Sequence, residues 1–126
     1  MTELIQPSTL GDILKFEVNP NFCREAITLT SGIAYPAGAV LGRLSASGKY
    51  TFATHAGDDG SETASAVLLF PVDATLAEAI GVVLVRGPAI IARSALLYDT
   101  TVDDGTKITA KLGELAALGI IARDTA

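Results

Sequence analysis

Gly42, Gly48 and Lys49 come nearest to a recognisable reactive constellation, because a glycine-rich loop ending in lysine is how many proteins cradle a phosphate. The spacing refuses that chemistry. Five residues separate the two glycines where the phosphate loop has four, and Tyr50 stands where a magnesium-binding Ser or Thr is needed. His55 is the single histidine, so a Ser-His-Asp triad would have to be built on it. It precedes Gly57-Asp58-Asp59-Gly60, a loop that offers a base little rigid support, and no Gly-x-Ser-x-Gly elbow occurs in the chain. Zinc needs three or four His and Cys ligands, and the chain has one of each. Asp58-Asp59 and Asp103-Asp104 are paired carboxylates followed by glycine, but the twelve-residue calcium loop with its alternating oxygen ligands is missing. Asp-Gly is above all a turn signal. Cys23 sits beside Arg24, which could lower its pKa, yet nothing in the neighbouring sequence supplies a catalytic partner. The chain is therefore expected to hold no catalytic residue, no cofactor, no metal and no small-molecule substrate.

The elements around these residues belong to one small domain. At 126 residues, the scaling of surface with mass leaves about 6,300 Å² exposed out of about 18,900 Å² unfolded. Hydrophobic residues make up 49% of the chain and mean hydropathy is +0.44, while aromatics are only 6% and tryptophan is absent. The apolar content is small aliphatic side chains, more than so small an interior is expected to hide, so the surplus should be covered by other subunits. No apolar run approaches the eighteen or so residues of a membrane helix, and no basic leader precedes an apolar stretch, so neither membrane nor secretory signal is expected. A lone cysteine cannot form an internal disulfide, which fits synthesis in a reducing cytoplasm. A net charge of -5, with the nine basic residues scattered, argues against direct binding of nucleic acid.

Along the chain, Pro7, Gly11, Asn19 and Pro20 punctuate an N-terminal segment in which Ile13, Leu14, Phe16 and Val18 partly alternate with polar residues. Residues 1–22 read as an extended arm carrying a sticky strand; the alternative is an edge strand folded onto the chain's own sheet. Residues 10–22 could span about 43 Å if fully extended. From residue 23 onward the pattern is short strands and turns, at 26–30, 39–44, 50–54, 65–71, 80–86 and 90–97. One amphipathic helix is expected over 103–118, with Ile108, Leu112, Leu115 and Ala116 on one face, Asp103 and Asp104 at its start and Gly119 as its stop. A closing strand at 120–123 follows. This is a mainly β domain spanning 23–126.

Several stretches of this domain resemble the head decoration proteins of lambda-type tailed bacteriophages. They are Arg24-Glu25 leading into Ile27-Thr28-Leu29, then Ala37-Gly38-Ala39-Val40-Leu41-Gly42, Ser47-Gly48-Lys49-Tyr50 and Asp59-Gly60-Ser61-Glu62-Thr63-Ala64, followed by Val83-Leu84-Val85-Arg86 and residues 115–123. Their order and spacing carry the resemblance. It implies a small β-clip-like domain with one C-terminal helix, made in the host cytoplasm and assembled as a homotrimer on the outer surface of the virion head. There it would bind the major capsid protein at three-fold and quasi-three-fold positions and cement the expanded shell against the pressure of packaged DNA. In that family the N-terminal arm joins strands of the capsid protein, and Leu10, Ile13, Leu14, Phe16 and Val18 occupy its place here. Val40, Leu41, Val82, Val83, Leu84 and Val85 are candidates for the trimer contact, with a plain core role as the alternative. The rival from another class is a trimeric β-clip enzyme such as a nucleotide pyrophosphatase. Its Ser-Arg phosphate loop is absent, since Arg93-Ser94 reverses the order, and so is its glycine-led Asp-to-Tyr strand.

Overall fold

The structure, a computed structural model, describes residues 10–124. Its frame is a closed five-stranded barrel of β2 (Arg24–Leu29), β4 (Val40–Arg43), β5 (Tyr50–Phe52), β6 (Ala64–Leu68) and β8 (Ala79–Leu84), in the spatial order β2-β5-β4-β6-β8. The longest seam is β2 against β8, antiparallel from Arg24 opposite Leu84 to Leu29 opposite Ala79. β4 and β5 fall within the strands expected at 39–44 and 50–54 and pair antiparallel, with Leu41 opposite Phe52 and Arg43 opposite Tyr50. β3 (Ile33–Tyr35) and β7 (Val72–Ala74) pair as a two-stranded flap. A third sheet, in the order β1-β9-β10, is built from β1 (Leu14–Glu17), β9 (Ala89–Ala92) and β10 (Ile120–Arg123), so the first and last strands of the chain flank β9. Two short helical turns, α1 (Leu10–Ile13) and α2 (Pro20–Cys23), bracket β1, and α3 (Gly105–Ala116) leads into β10. The domain is mainly β with one sizeable C-terminal helix, as expected.

Two apolar clusters explain why the barrel strands read as continuous aliphatic runs. Inside the barrel, Leu29, Leu41, Tyr50, Ala66, Leu68 and Val83 pack together. On its outside, Val40, Val67, Leu69 and Leu84 meet Ile91, Leu115 and Ile120 from the terminal sheet and α3. Strands buried on both faces need side chains that are apolar without alternation. Gly42, on β4, is where the β5–β6 connection presses against the barrel: a Cβ there would lie 2.7 Å from Ser61 Cα. Only glycine fits that approach.

This double burial corrects the expected trimer contact. Val40, Leu41, Val83 and Leu84 are fully enclosed and Val85 is buried, so their side chains serve the chain's own core. Val82 is partly buried and packs against the same outer cluster. The aliphatic surplus that pointed to other subunits is largely absorbed by strands with two covered faces.

The N-terminal segment also differs from an extended arm. Leu14 lies opposite Ile91 and Phe16 opposite Ile90, so β1 is an edge strand of the chain's own sheet, the alternative left open by the sequence. Ile13 is fully enclosed, beside Gly38 and in the cluster with Ile91 and Leu96. Residues 10–22 are thus continuous with the domain, and the boundary expected at residue 22 is not a structural break. Of the expected arm, residues 1–9 lie outside the described residues.

Helix α3 starts where expected. The Asp104 carboxylate accepts from the Lys107 backbone N–H at 2.9 Å, and Gly119 turns the chain with φ +85°. Its buried face is Ile108, Lys111, Leu112 and Leu115 rather than one that includes Ala116, which is exposed.

Candidate functional site

The residues that might have carried chemistry are used in structure. Asp59 Oδ1 accepts from the Ser61 backbone N–H at 2.9 Å and from Ser61 Oγ at 2.6 Å, which holds its carboxyl below the usual range. Glu62 Oε2 accepts from Gly60 N–H at 2.8 Å, so the Asp59-Gly60-Ser61-Glu62 stretch is a hydrogen-bonded knot between β5 and β6. The second acidic pair caps α3: Asp103 binds Lys107 Nζ at 2.7 Å, and this contact depresses the Asp103 carboxyl and raises the Lys107 ammonium. Among the described residues no group of three or more His, Cys, Asp and Glu side chains could hold a metal. His55 is exposed, and its backbone N–H donates to Thr101 Oγ1 at 2.9 Å. Cys23 is a fully buried free thiol under the barrel seam.

The sequence gives no warning of Lys111, which is 2% exposed. Its Nζ donates to the Glu62 carbonyl and to Glu114 Oε1, 3.2 Å away, while the same Glu114 oxygen accepts from the Ala64 N–H at 2.8 Å. A buried ammonium is tolerated only with such partners. The network bolts α3 to the start of β6. It is paired internally.

An apolar cleft of about 520 Å³ opens between the flap and Leu97, lined among others by Ala34, Tyr35, Pro36, Pro71 and Val72. Its one carboxylate, Asp73, is already engaged by the backbone N–H and hydroxyl of Thr75 at 3.0 and 2.7 Å, which lower its pKa. The cleft therefore offers no converging polar groups of the kind that orient a small ligand.

What the surface does present is apolar area on the terminal sheet. Phe16 on β1, Ile90 on β9 and Ile121 on β10 are in register across the three strands. Phe16 is 50% exposed and Ile121 is 39% exposed, whereas the alternate residues Ala89, Ile91 and Ile120 face the core. Val18, just beyond β1, is 53% exposed and its N–H donates to the Pro88 carbonyl at 3.1 Å. Of the five expected arm residues, then, Phe16 and Val18 are outward, Leu10 and Leu14 are partly buried, and Ile13 belongs to the core. β1 is held down at its end by Glu17, which takes two Arg24 Nε contacts at 3.1 Å and keeps the guanidinium pKa above its usual value. The outward isoleucines Ile90 and Ile121 were not anticipated.

No helix among the described residues is long and apolar enough to cross a membrane. No curated protein matches the chain. Residues 3–120 match the family described as bacteriophage lambda head decoration protein D, a structural family of the phage capsid. The match runs through the barrel, the terminal sheet's first two strands and the helix, and on that coverage this chain belongs to the bacteriophage lambda head decoration protein D family.

Proposed function

We propose that the protein is a non-enzymatic cement, binding as a homotrimer to the outer face of an expanded phage head at three-fold and quasi-three-fold positions. Its partner is the major capsid protein, and its effect is to hold the shell against internal DNA pressure. The observation that carries this reading is family membership over residues 3–120. The acidic balance of the chain favours the side of the shell away from DNA, since net charge -5 repels phosphate. Apolar side chains left outward on β8 and on the bend that precedes it, chiefly Ile80 and Leu76, are where copies of the chain would bury area against one another.

Mechanically, one small contact binds weakly. Three contacts on one trimer make the second and third attachments intramolecular, which raises avidity by about 10² to 10⁴. A shell bridged in this way cannot part locally without breaking several contacts. The test is decoration of expanded heads prepared without this protein, scored by co-sedimentation and by locating the added density in electron micrographs. Density at the three-fold positions outside the shell supports the proposal; a monomer that leaves heads bare, or density inside against the genome, refutes it. The arm is tested by deleting residues 1–9 only. Cutting as far as residue 20 would also remove Ile13 and β1 and so uncover Ile91 in the core.

A further inference from the structure

Leu76 is 98% exposed, the most exposed large apolar side chain among the described residues, and it stands in the turn that joins β7 to β8. The turn is fastened at both ends. Asp73 accepts from the backbone N–H and the hydroxyl of Thr75 at its start, and Glu78 pairs with Lys49 at its end. A single exposed leucine is ordinary. This one becomes informative beside the cleft between the flap and Leu97, which has the opposite shape. At about 520 Å³ the cleft is roomier than the about 150 Å³ left where a core leucine is truncated, so it can take a leucine together with the small residues on either side of it. Its walls are already fixed: Tyr35 stacks on Phe52 at 5.5 Å and its hydroxyl lies 2.7 Å from Thr30 Oγ1, while Leu97 donates its N–H to the Gly38 carbonyl at 3.0 Å and accepts from the Val40 N–H at 2.9 Å. Leu76 does not fill the cleft of its own chain, although Asp73 on the cleft wall is only three residues away.

We infer that the β7–β8 turn of one copy docks in the flap cleft of the next, with Leu76 as the knob, and that this head-to-tail contact repeats until three copies close a ring. The inference rests on the homotrimer reading and adds the two unlike surfaces that meet. The occupant is a second copy because the chain carries both halves of the contact, a knob with no hole of its own and a hole with no knob. Joining two different patches of one chain is a heterologous contact, and ring closure uses every knob and every cleft once. Charge favours the same pairing. Copies with net charge -5 repel one another at long range, so they must meet where local charge is already engaged. Both patches satisfy this, since Lys49 neutralises Glu78 beside the knob and Thr75 occupies Asp73 beside the cleft. Ile80 after the turn and Leu97 on the cleft rim are exposed as well, and they extend the buried area beyond one side chain.

The full-length protein is sized by sedimentation over a concentration series, wild type against Leu76→Asp, which puts a charge on the knob, and Ala34→Arg, which fills the cleft from β3. Both positions are exposed, so each variant should keep the circular dichroism of a folded chain. Each should raise the concentration of half-dissociation by about ten-fold or more. The contact is then read directly by placing Leu76→Cys and Ala34→Cys in one chain and adding a short bis-maleimide; buried Cys23 does not compete. Covalent dimers and trimers and nothing larger are expected from the double variant, and no cross-link from either substitution alone. Equal cross-linking by one substitution alone would mean that like faces meet, and a ladder beyond three would mean an open filament; either overturns the inference, as does a double variant that is not cross-linked. Leu76→Asp and Ala34→Arg proteins as trimeric as wild type would overturn it and leave the decoration reading standing. Loss of binding to expanded heads by such trimers would assign the turn to the capsid protein and overturn it too. Wild-type protein that is monomeric at every concentration would take both readings down.

Discussion

The barrel and the terminal sheet are made of the same residue types and behave in opposite ways. In the barrel, β4 and β6 are apolar on both faces, every strand has two neighbours, and the ring leaves no edge open. In the terminal sheet, among the described residues, β1 and β10 each have one edge without a strand partner, and Phe16 and Ile121 of the outward row are exposed. Closure removes the unpaired donors and acceptors that invite another chain, whereas edges keep them. One region encloses its aliphatic residues, and the other leaves part of them exposed.

That contrast is most sharply tested by truncating one side chain in each region. Leu41→Ala empties a site enclosed by the barrel and should cost about 2–5 kcal/mol in denaturant unfolding. Ile121→Ala, on an exposed strand face, should stay within about 0.5 kcal/mol of wild type. Equal losses at the two positions would mean that the terminal sheet is as much a part of the folding core as the barrel.

The bolt between the regions comes next. Glu114→Ala removes a partner from the buried Lys111 ammonium and from the Ala64 N–H, and should destabilise by about 1–3 kcal/mol. Replacing the pair together, Lys111→Met/Glu114→Leu, should recover much of that loss, because an apolar pair leaves no charge stranded. A double variant no better than the single one would show that the Glu62 carbonyl contact, not the ion pair, holds the helix.

A smaller effect is expected at the clamp on β1. Glu17→Gln weakens the double contact with Arg24, a part-exposed pair worth about 0.2–1 kcal/mol globally. The local effect should be larger than the global one. Amide exchange at residues 14–17 should accelerate while β4 stays protected, since an edge strand can open alone and a barrel strand cannot. Uniform acceleration across both regions would contradict their independence.

Much of the barrel can be read directly from the sequence, and the reason lies in its turns. β4 begins at Val40 and β5 near Lys49 because Ala37-Gly38 and Ser47-Gly48 fix the reversals on either side. The helix is equally legible from Asp104, its four-and-three apolar spacing and Gly119. β3 and β7 escape notice because three residues cannot display an alternation, and Ile33-Ala34-Tyr35 forms a strand only when Val72-Asp73-Ala74 arrives beside it. The outward apolar row of the terminal sheet is illegible for a related reason. Ile90-Ile91 and Ile120-Ile121 are doublets, and nothing local says which isoleucine of each faces out; the parallel register of β9 and β10 decides it. Lys111 reads as a solvated residue of the helix until the turn before β6 brings the Glu62 carbonyl, which together with Glu114 on the same helix lets it be buried.

The smallest predicted effect concerns acid, and it belongs to the β5–β6 loop, the flap and the start of α3. Asp59, Asp73 and Asp103 all have folded pKa values below their usual ones, through hydrogen bonds from Ser61, from Thr75 and from Lys107 respectively. A carboxyl depressed in the folded state binds its proton more weakly there than in the unfolded chain, so its contribution is complete above the unfolded value of about 3.9. It fades as pH falls through that value toward the lower folded one. Lys107 has the opposite sense: raised by Asp103, its contribution is complete below the ordinary lysine value and is lost as pH climbs through the folded one. Melting temperature should therefore fall below about pH 4, and Asp103→Asn should flatten part of both the acid and the alkaline limb, because one contact underlies both. All three groups are solvent-facing, so each change should be small. An acid limb unaltered in Asp103→Asn, Asp59→Asn and Asp73→Asn together would place acid sensitivity outside these three hydrogen-bonded carboxylates.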